Sequence, residues 1–277
     1  MPELPEVETI TQDLKHHLIG WIITGMWSDW PRYFKLSGGF EKAKKNLVGR
    51  KILKIERRGK NILFQLSGDN ILAVHLKMTG RFIFGESSET KHCHLIFNIK
   101  KDVKKAKLYF SDVRKFGRII IGSKIEVMSR PEIGGLGPDP LEITVKDFLN
   151  LISSRRGKIK TVLLNQEFLA GVGNIYSDEA LYLAQIHPLS RVEKIPHEKL
   201  KLLFNKLAGV LKKSIKLRGT TRQDYRDLTG QKGDYFARRL VYARKGEKCR
   251  RCGGKIGTLT VGSRTSHFCP KCQKSFK

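Results

Sequence analysis

Met1-Pro2-Glu3-Leu4-Pro5-Glu6-Val7-Glu8 opens the sequence, and apolar residues then recur at Ile10, Leu14 and Leu18 before Gly20. With Val7, that spacing of three and four predicts a helix buried along one stripe and stopped by glycine. The octet supports two readings. In one, Pro5 fills the opening turn while Glu6 and Glu8 complement the helix dipole. In the other, removal of Met1 leaves the Pro2 nitrogen as a free secondary amine. Such an amine attacks a carbonyl carbon, and Glu3, Glu6 and Glu8 stand beside it as proton carriers.

Outward from the helix the pattern changes to short β-rich runs. Strands are predicted over Trp21–Trp27, Ile52–Glu56, Ile62–Leu66, Ile71–Leu76, Phe82–Phe84, His94–Ile99, Lys107–Phe110 and Arg118–Ile121, with a helix over Phe40–Leu47. Short strands punctuated by Gly, Asp, Asn and Lys clusters have the spacing of a β-sandwich. Pro131 to Pro140, with Gly134, Gly135, Gly137 and Pro138, reads as a linker. Helical periodicity returns over Val145–Ile152, Ile159–Leu164, Asn174–Ala184 and His197–Lys216. The polar stretch Gly219–Tyr235 reads as a mobile loop.

The net charge is +28, from 54 basic and 26 acidic side chains, which points to a polyanionic partner. Leu211 to Lys277 alone holds 19 Lys or Arg against 4 Asp or Glu. A basic total by itself also fits a ribosomal-type or membrane-surface protein. No run of ~18 apolar residues is present, so no transmembrane helix is expected. The N-terminal acids stand where a signal peptide carries bases, and a bacterial-type cytoplasmic location is expected.

Four of the five cysteines form Cys249-x2-Cys252 and Cys269-x2-Cys272, separated by sixteen residues. Two pairs at this spacing close a tetrahedral four-thiolate site for one structural Zn2+, with a β-hairpin between the knuckles. That hairpin carries Arg264, and Arg250 and Arg251 flank the first knuckle. Gly171-Val172-Gly173-Asn174-Ile175-Tyr176 is a glycine-bounded turn entering a helix, a geometry suited to phosphate. Three strand-edge segments join the candidates: Arg57-Arg58-Gly59-Lys60, His75-Leu76-Lys77-Met78-Thr79-Gly80 and Asp112-Val113-Arg114-Lys115-Phe116-Gly117. Met78, Arg114 and Phe116 on a DNA-facing loop have the shapes to fill the gap left by an extruded nucleotide. His92-Cys93-His94 puts two imidazoles on one strand face, and a polar or DNA-facing role is expected rather than a second metal site.

Taken together, these motifs resemble the formamidopyrimidine-DNA glycosylase family, along nearly the whole length. The resemblance implies an α+β multidomain fold: an N-terminal helix plus β-sandwich over residues 2–130 and a linker over 131–144. A helix–two-turn–helix domain with a lesion-recognition loop follows over 145–240, then a zinc-ribbon finger over 241–277, with DNA crossing the cleft. It further implies Pro2 as nucleophile, Glu3 as proton donor to the sugar, and Glu6 as an acid that orders the site. Lys60 is similar to a lysine contacting phosphate and lesion. Asn174 and Arg264 match a clamp on the flanking phosphates, Arg264 counting with the catalytic set as well. Met78, Arg114 and Phe116 match the inserted trio, and His75 joins the DNA contacts. Cys93 departs from a common acid and Lys77 from a common glycine, and Thr265–Phe268 lacks the usual aromatic pair.

The expected function is therefore excision of oxidised purines from double-stranded DNA, followed by β,δ-elimination at the abasic site through a proline iminium. The protein is expected to act as a monomer without membrane association. The rival within the superfamily is an endonuclease VIII-like enzyme for oxidised pyrimidines, against which Leu4, Val7 and the complete trio weigh. A rival of another class is a non-catalytic zinc-ribbon protein that only binds nucleic acid.

Overall fold

The computed structural model describes residues 1–85 and 91–277. Two compact units emerge, one of Met1–Gly135 with Leu217–Asp234, the other of Leu136–Lys216 with Tyr235–Lys277.

The first unit begins with α1 (Leu4–Leu18). Among the described residues eight strands follow: β1 (Ile22–Ser28), β2 (Ile52–Arg58), β3 (Asn61–Leu66), β4 (Asn70–His75), β5 (Arg81–Phe84), β6 (Cys93–Lys101), β7 (Lys104–Ser111) and β8 (Arg118–Ser123). They form two antiparallel sheets, ordered β1-β6-β7-β5 and β2-β3-β4-β8. One core joins both sheets to α1: Ile10 and Leu14 pack with Ile55, Phe64 and Val74 of one sheet and Phe82, Phe97 and Phe110 of the other. The Phe64 and Phe82 rings meet across the sheets at 5.9 Å.

The second face of β3, β4 and β8 is covered too, by Val127 and Ile133 packed on Leu63, Ile71, Ala73 and Ile120. Burial on both faces explains why these strands read as continuous apolar runs instead of alternating. Val127 belongs to α3 (Lys124–Met128), which follows α2 (Phe40–Leu47) in the helix order. Five residues hold too little periodicity to predict α3, and a Ser123–Glu126 capping box starts it. A 3₁₀ turn over Pro31–Ser37 was likewise not anticipated.

The segment read as a linker is packed at both ends. Ile133 lies in the first unit's core. Gly137 donates to the Gln166 carbonyl in the second unit, and a Cβ there would stand 2.5 Å from the Glu167 oxygen.

In the second unit, α4 (Val145–Ser153), α5 (Ile159–Leu164), α6 (Asn174–Ala184) and α7 (His197–Lys216) precede the short α8 (Tyr235–Arg238) and the hairpin β9 (Gly257–Val261)–β10 (Arg264–Phe268). Helix α6 is the centre of the unit and is buried nearly all round, so it lacks the apolar stripe of a surface helix. Tyr182, Val241, Ile256, Cys249 and Cys269 bind the finger to it in one small core.

Residues 217–234, which include most of the Gly219–Tyr235 loop expected within the helical domain, group with the sandwich unit. Their polar side chains are spent on mutual bonds. Asp227 accepts from Arg218 Nε at 2.6 Å, from the Gln231 N–H at 2.9 Å and from the Thr229 N–H at 3.0 Å. Arg218 Nη2 also reaches Asp13 of α1 at 2.6 Å, and Leu228 joins the sandwich core.

Phe110 is the packing residue beneath two functional turns: a Cβ on Gly80 or on Gly117 would come within 2.8 Å or 2.7 Å of its ring. Phe110→Ala should cost about 3–5 kcal/mol, read from the urea midpoint.

Candidate active site and metal centre

The N-terminal end of α1 is fixed by Glu6. Its Oε2 accepts the Glu3 N–H at 2.8 Å, the returning half of a capping box, and its Oε1 accepts the Thr220 N–H at 2.7 Å. Gly219 holds a left-handed φ of +85°, and a Cβ there would sit 3.0 Å from Glu6. Pro2, Glu3 and Glu6 are buried while Met1 is half exposed. Glu8 is set apart from this group. Its burial opposes ionisation, yet Gln12 and the Arg57 guanidinium, at 2.7 Å, hold its carboxyl below the usual range.

The same ion pair docks the β2–β3 turn carrying Lys60 against the first turns of α1. Lys60 is buried. Asn61, beside it, pairs across the sheet with His75, and His75 with Arg118. Arg118 in turn reaches Glu132 at 3.6 Å. Burial, reinforced by the charges of Lys77, Arg118 and Lys60, pushes the His75 imidazole down to about 3. Its Nδ1 accepts the Lys77 N–H at 2.9 Å, so the single proton of the neutral ring sits on Nε2. His75 thus offers a hydrogen-bond donor without adding a cation to an already basic corner.

Two turns leave the same end of the sandwich and bring the trio together. Arg114 lies over the Phe116 ring at 4.6 Å and its Nη1 meets Met78 Sδ at 2.8 Å. Phe116 and Met78 are exposed at 53% and 42%, and Arg114 joins them into one patch. Asp112 ties both turns, accepting from Thr79 Oγ1 through one oxygen and from the Gly117 N–H at 2.7 Å through the other. Lys77 has a left-handed φ of +53°, the backbone reason that glycine suits this position.

In the second unit, Asn174 begins α6 and its Nδ2 donates to the Thr265 carbonyl at 2.8 Å, next to exposed Arg264 at the start of β10. An amide NH2 has a second hydrogen for an anion, and the positive end of the α6 dipole lies here. Behind Asn174, Lys160 is fully buried and donates to the Asn174 carbonyl at 3.0 Å, Ser177 Oγ at 2.7 Å and Asp178 at 2.6 Å. Asp178 also accepts from Ser266 Oγ and from the His267 N–H at 2.8 Å.

The Sγ atoms of Cys249, Cys252, Cys269 and Cys272 all lie within 4.8 Å of one another. Cys249–Cys272 is 3.9 Å and Cys252–Cys269 is 3.5 Å. A tetrahedron with zinc–sulfur bonds of ~2.3 Å has edges of ~3.8 Å, so the four thiols fit zinc. Four protein ligands leave no open position for catalysis.

Residues 1–119 match the formamidopyrimidine-DNA glycosylase N-terminal domain, residues 136–226 its H2TH domain, and residues 246–274 the zinc finger found in FPG and IleRS. A formamidopyrimidine-DNA glycosylase of Heliobacterium modesticaldum is 40% identical over 283 residues, covering 99% of this chain and 100% of the relative. The chain belongs to the formamidopyrimidine-DNA glycosylase family. Among solved structures, the Lactococcus lactis Fpg complex with abasic-site DNA superposes with a TM-score of 0.89 at 36% identity. A MutM complex with DNA containing carbocyclic 8-oxo-G gives 0.88 at 36% identity. Each covers 99% of this chain and 100% of its own.

As a member of that family the chain is a DNA glycosylase and lyase with one structural zinc. The sandwich unit holds Pro2, Glu3, Lys60, His75, Met78, Arg114 and Phe116, and the helical unit holds Asn174, Arg264 and the four cysteines. His94 is turned to structure: it is buried and its Nδ1 contacts Asp29 at 2.9 Å. Asp112, Lys160 and Asp178 were not singled out by motif. The available signal for Asp178 was an acid pair, Asp178-Glu179, inside an otherwise apolar helix.

Two measurements check this geometry. The His75 ring should show no NMR titration from pH 8 to about 4. Its native pKa lies below the unfolded value of ~6.5, so it leaves stability unaffected above that pH and subtracts from it as pH falls towards 3. Chelating the zinc should unfold β9–β10 and abolish DNA binding while the near-UV spectrum of the sandwich persists.

Proposed function

We propose that this protein excises oxidised purines from duplex DNA and then cuts the strand on both sides of the abasic site, with Pro2 as nucleophile once Met1 is removed. The observation that carries this reading is the buried, Glu6-anchored N-terminal end of α1, a fixed terminus where chain ends ordinarily fray.

The Pro2 lone pair attacks the sugar C1′, and the glycosidic electrons leave with the base, which takes up the proton that the Pro2 nitrogen sheds. Glu3 gives its proton to the ring oxygen as the sugar opens, and the C1′–nitrogen bond becomes an iminium. Because proline is a secondary amine, that iminium carries no N–H to lose and stays cationic. It therefore acidifies C2′–H. Loss of that proton expels the 3′ phosphate, a second elimination expels the 5′ phosphate, and water releases Pro2. An α-amino group ordinarily titrates near ~8, which leaves a free fraction at neutral pH.

Lys60 and the Nε2–H of His75 serve the phosphate beside the lesion, and Asn174 and Arg264 the flanking phosphates. Met78, Arg114 and Phe116 enter the duplex in place of the extruded nucleotide. Asp112 positions that trio. We also place the protein in a bacterial-type cytoplasm with the chromosome. Among the described residues no helix is long and apolar enough to cross a membrane.

Borohydride trapping on an abasic duplex tests the nucleophile. A covalent adduct is expected with the processed protein, and at least a ~10-fold loss in Pro2→Gly or when Met1 is retained. An adduct undiminished in both would assign the chemistry to a lysine. Excision should be faster from 8-oxoguanine than from thymine-glycol duplexes, and the reverse order would give the site to oxidised pyrimidines.

A further inference from the structure

The hairpin joining β6 and β7 reads Lys100-Lys101-Asp102-Val103-Lys104-Lys105-Ala106-Lys107. Its five lysines are all exposed and only Asp102 opposes them. Register puts Lys100 directly across from Lys105 and Lys101 across from Lys104. Like charges facing each other across a ladder destabilise it, so a surface that only needed solvation would avoid both pairs. Protection of a sheet edge explains lysines on a free strand. It does not explain Lys100, because β6 is paired on both sides there, with Ile22 and with Lys105.

The hairpin lies far from the proposed site, by two rulers within one unit. Lys101 Nζ reaches the Ile19 carbonyl, just past the C-terminal end of α1, at 3.5 Å. The fifteen residues of α1 place that point ~22 Å from the end bearing Glu3. Along β7, seven steps of ~3.4 Å carry the chain from Lys104 to the Ser111 end that feeds the Arg114 turn, again ~24 Å. Asp102 takes a left-handed φ of +53°, giving a tight two-residue turn that holds the lysines in a fixed array.

We propose that this hairpin is a second contact surface for duplex DNA, and that it binds a segment other than the one at the catalytic end. Lysine ammonium groups are point charges that bind phosphates without reading bases, which suits undamaged DNA. The inference rests on the function proposed above and adds a route by which the protein passes directly from one segment to another.

The test is dissociation of the full-length protein from a short labelled undamaged duplex, chased with increasing unlabelled duplex. Direct transfer makes the observed rate rise linearly with competitor. Changing Lys100, Lys104, Lys105 and Lys107 to Gln should lower that slope at least ~10-fold, since four phosphate contacts are lost. Lys101 is kept to preserve its contact with Ile19. Excision from a short lesion duplex should not change, and the thermal melt should hold or rise, since the variant relieves the facing lysine pairs. A wild-type rate flat in competitor, or a slope kept by the quadruple variant, overturns the proposal while trapping and excision remain intact. A protein that neither traps nor excises overturns the reading of the site on which the proposal rests.

Discussion

The Glu6 carboxylate is the interaction on which the N-terminal end of α1 depends. Both of its oxygens accept backbone N–H groups, one from Glu3 at the head of α1 and one from Thr220, more than two hundred residues later. A buried carboxylate is costly unless its lone pairs are used, and here the partners are rigid main chain. The acid therefore performs two operations at once: it starts the helix that presents Pro2 and Glu3, and it docks the 217–234 segment onto the same terminus. Replacing it by an apolar residue would leave both N–H groups without that acceptor, so the two features stand or fall together. Gly219 completes the contact, because any side chain there would press on Glu6 and occupy a disfavoured φ.

The trio of Met78, Arg114 and Phe116 depends on a comparable device. Met78 and Phe116 are exposed, and solvent gives them no reason to stay in place. Their order comes from below, through Asp112, which links the two turns, and from Phe110, which fills the space that Gly80 and Gly117 leave open. Tyr33 adds a third donor to Asp112 at 3.3 Å. A fully buried acid in a turn is thus explained by its position between two loops that must move, or stay still, as one.

Much of this was legible in the sequence. Apolar periodicity and short apolar runs located α1, α4 to α7 and the strands within a residue or two, except that β7 begins three residues before the expected Lys107, where its exposed lysines hide the strand. Cysteine spacing sufficed for the zinc site because a tetrahedron tolerates few separations. What escaped was of two kinds. Helix α3 and the 3₁₀ turn over Pro31–Ser37 are too short to show a period. The internal bonding of the 217–234 segment was not legible, because polar composition looks the same whether side chains bond water or one another. In this segment Arg218 donates to Asp227, and Thr221 Oγ1 accepts the Gly233 N–H, pairings that composition does not encode.

One departure from the expected pattern, at Thr265–Phe268, leads to α6. Where an aromatic pair is usual, His267 stands against the Tyr242 ring at 5.1 Å while its N–H and Nδ1 both face Asp178. Asp178 and Glu179 are consecutive, so on a helix of 3.6 residues per turn they point about 100° apart. Asp178 takes β10 through Ser266 and His267, with Lys160 compensating its charge. Glu179 takes the N–H groups of Leu240, Val241 and Tyr242, the strand of chain that leads into the first knuckle. Two anchors at different angles on one rigid helix fix the finger in rotation as well as position. Asn174 begins that same helix, so its distance to the hairpin bearing Arg264 is set by buried acids and not by the zinc, whose task is to keep the hairpin itself folded.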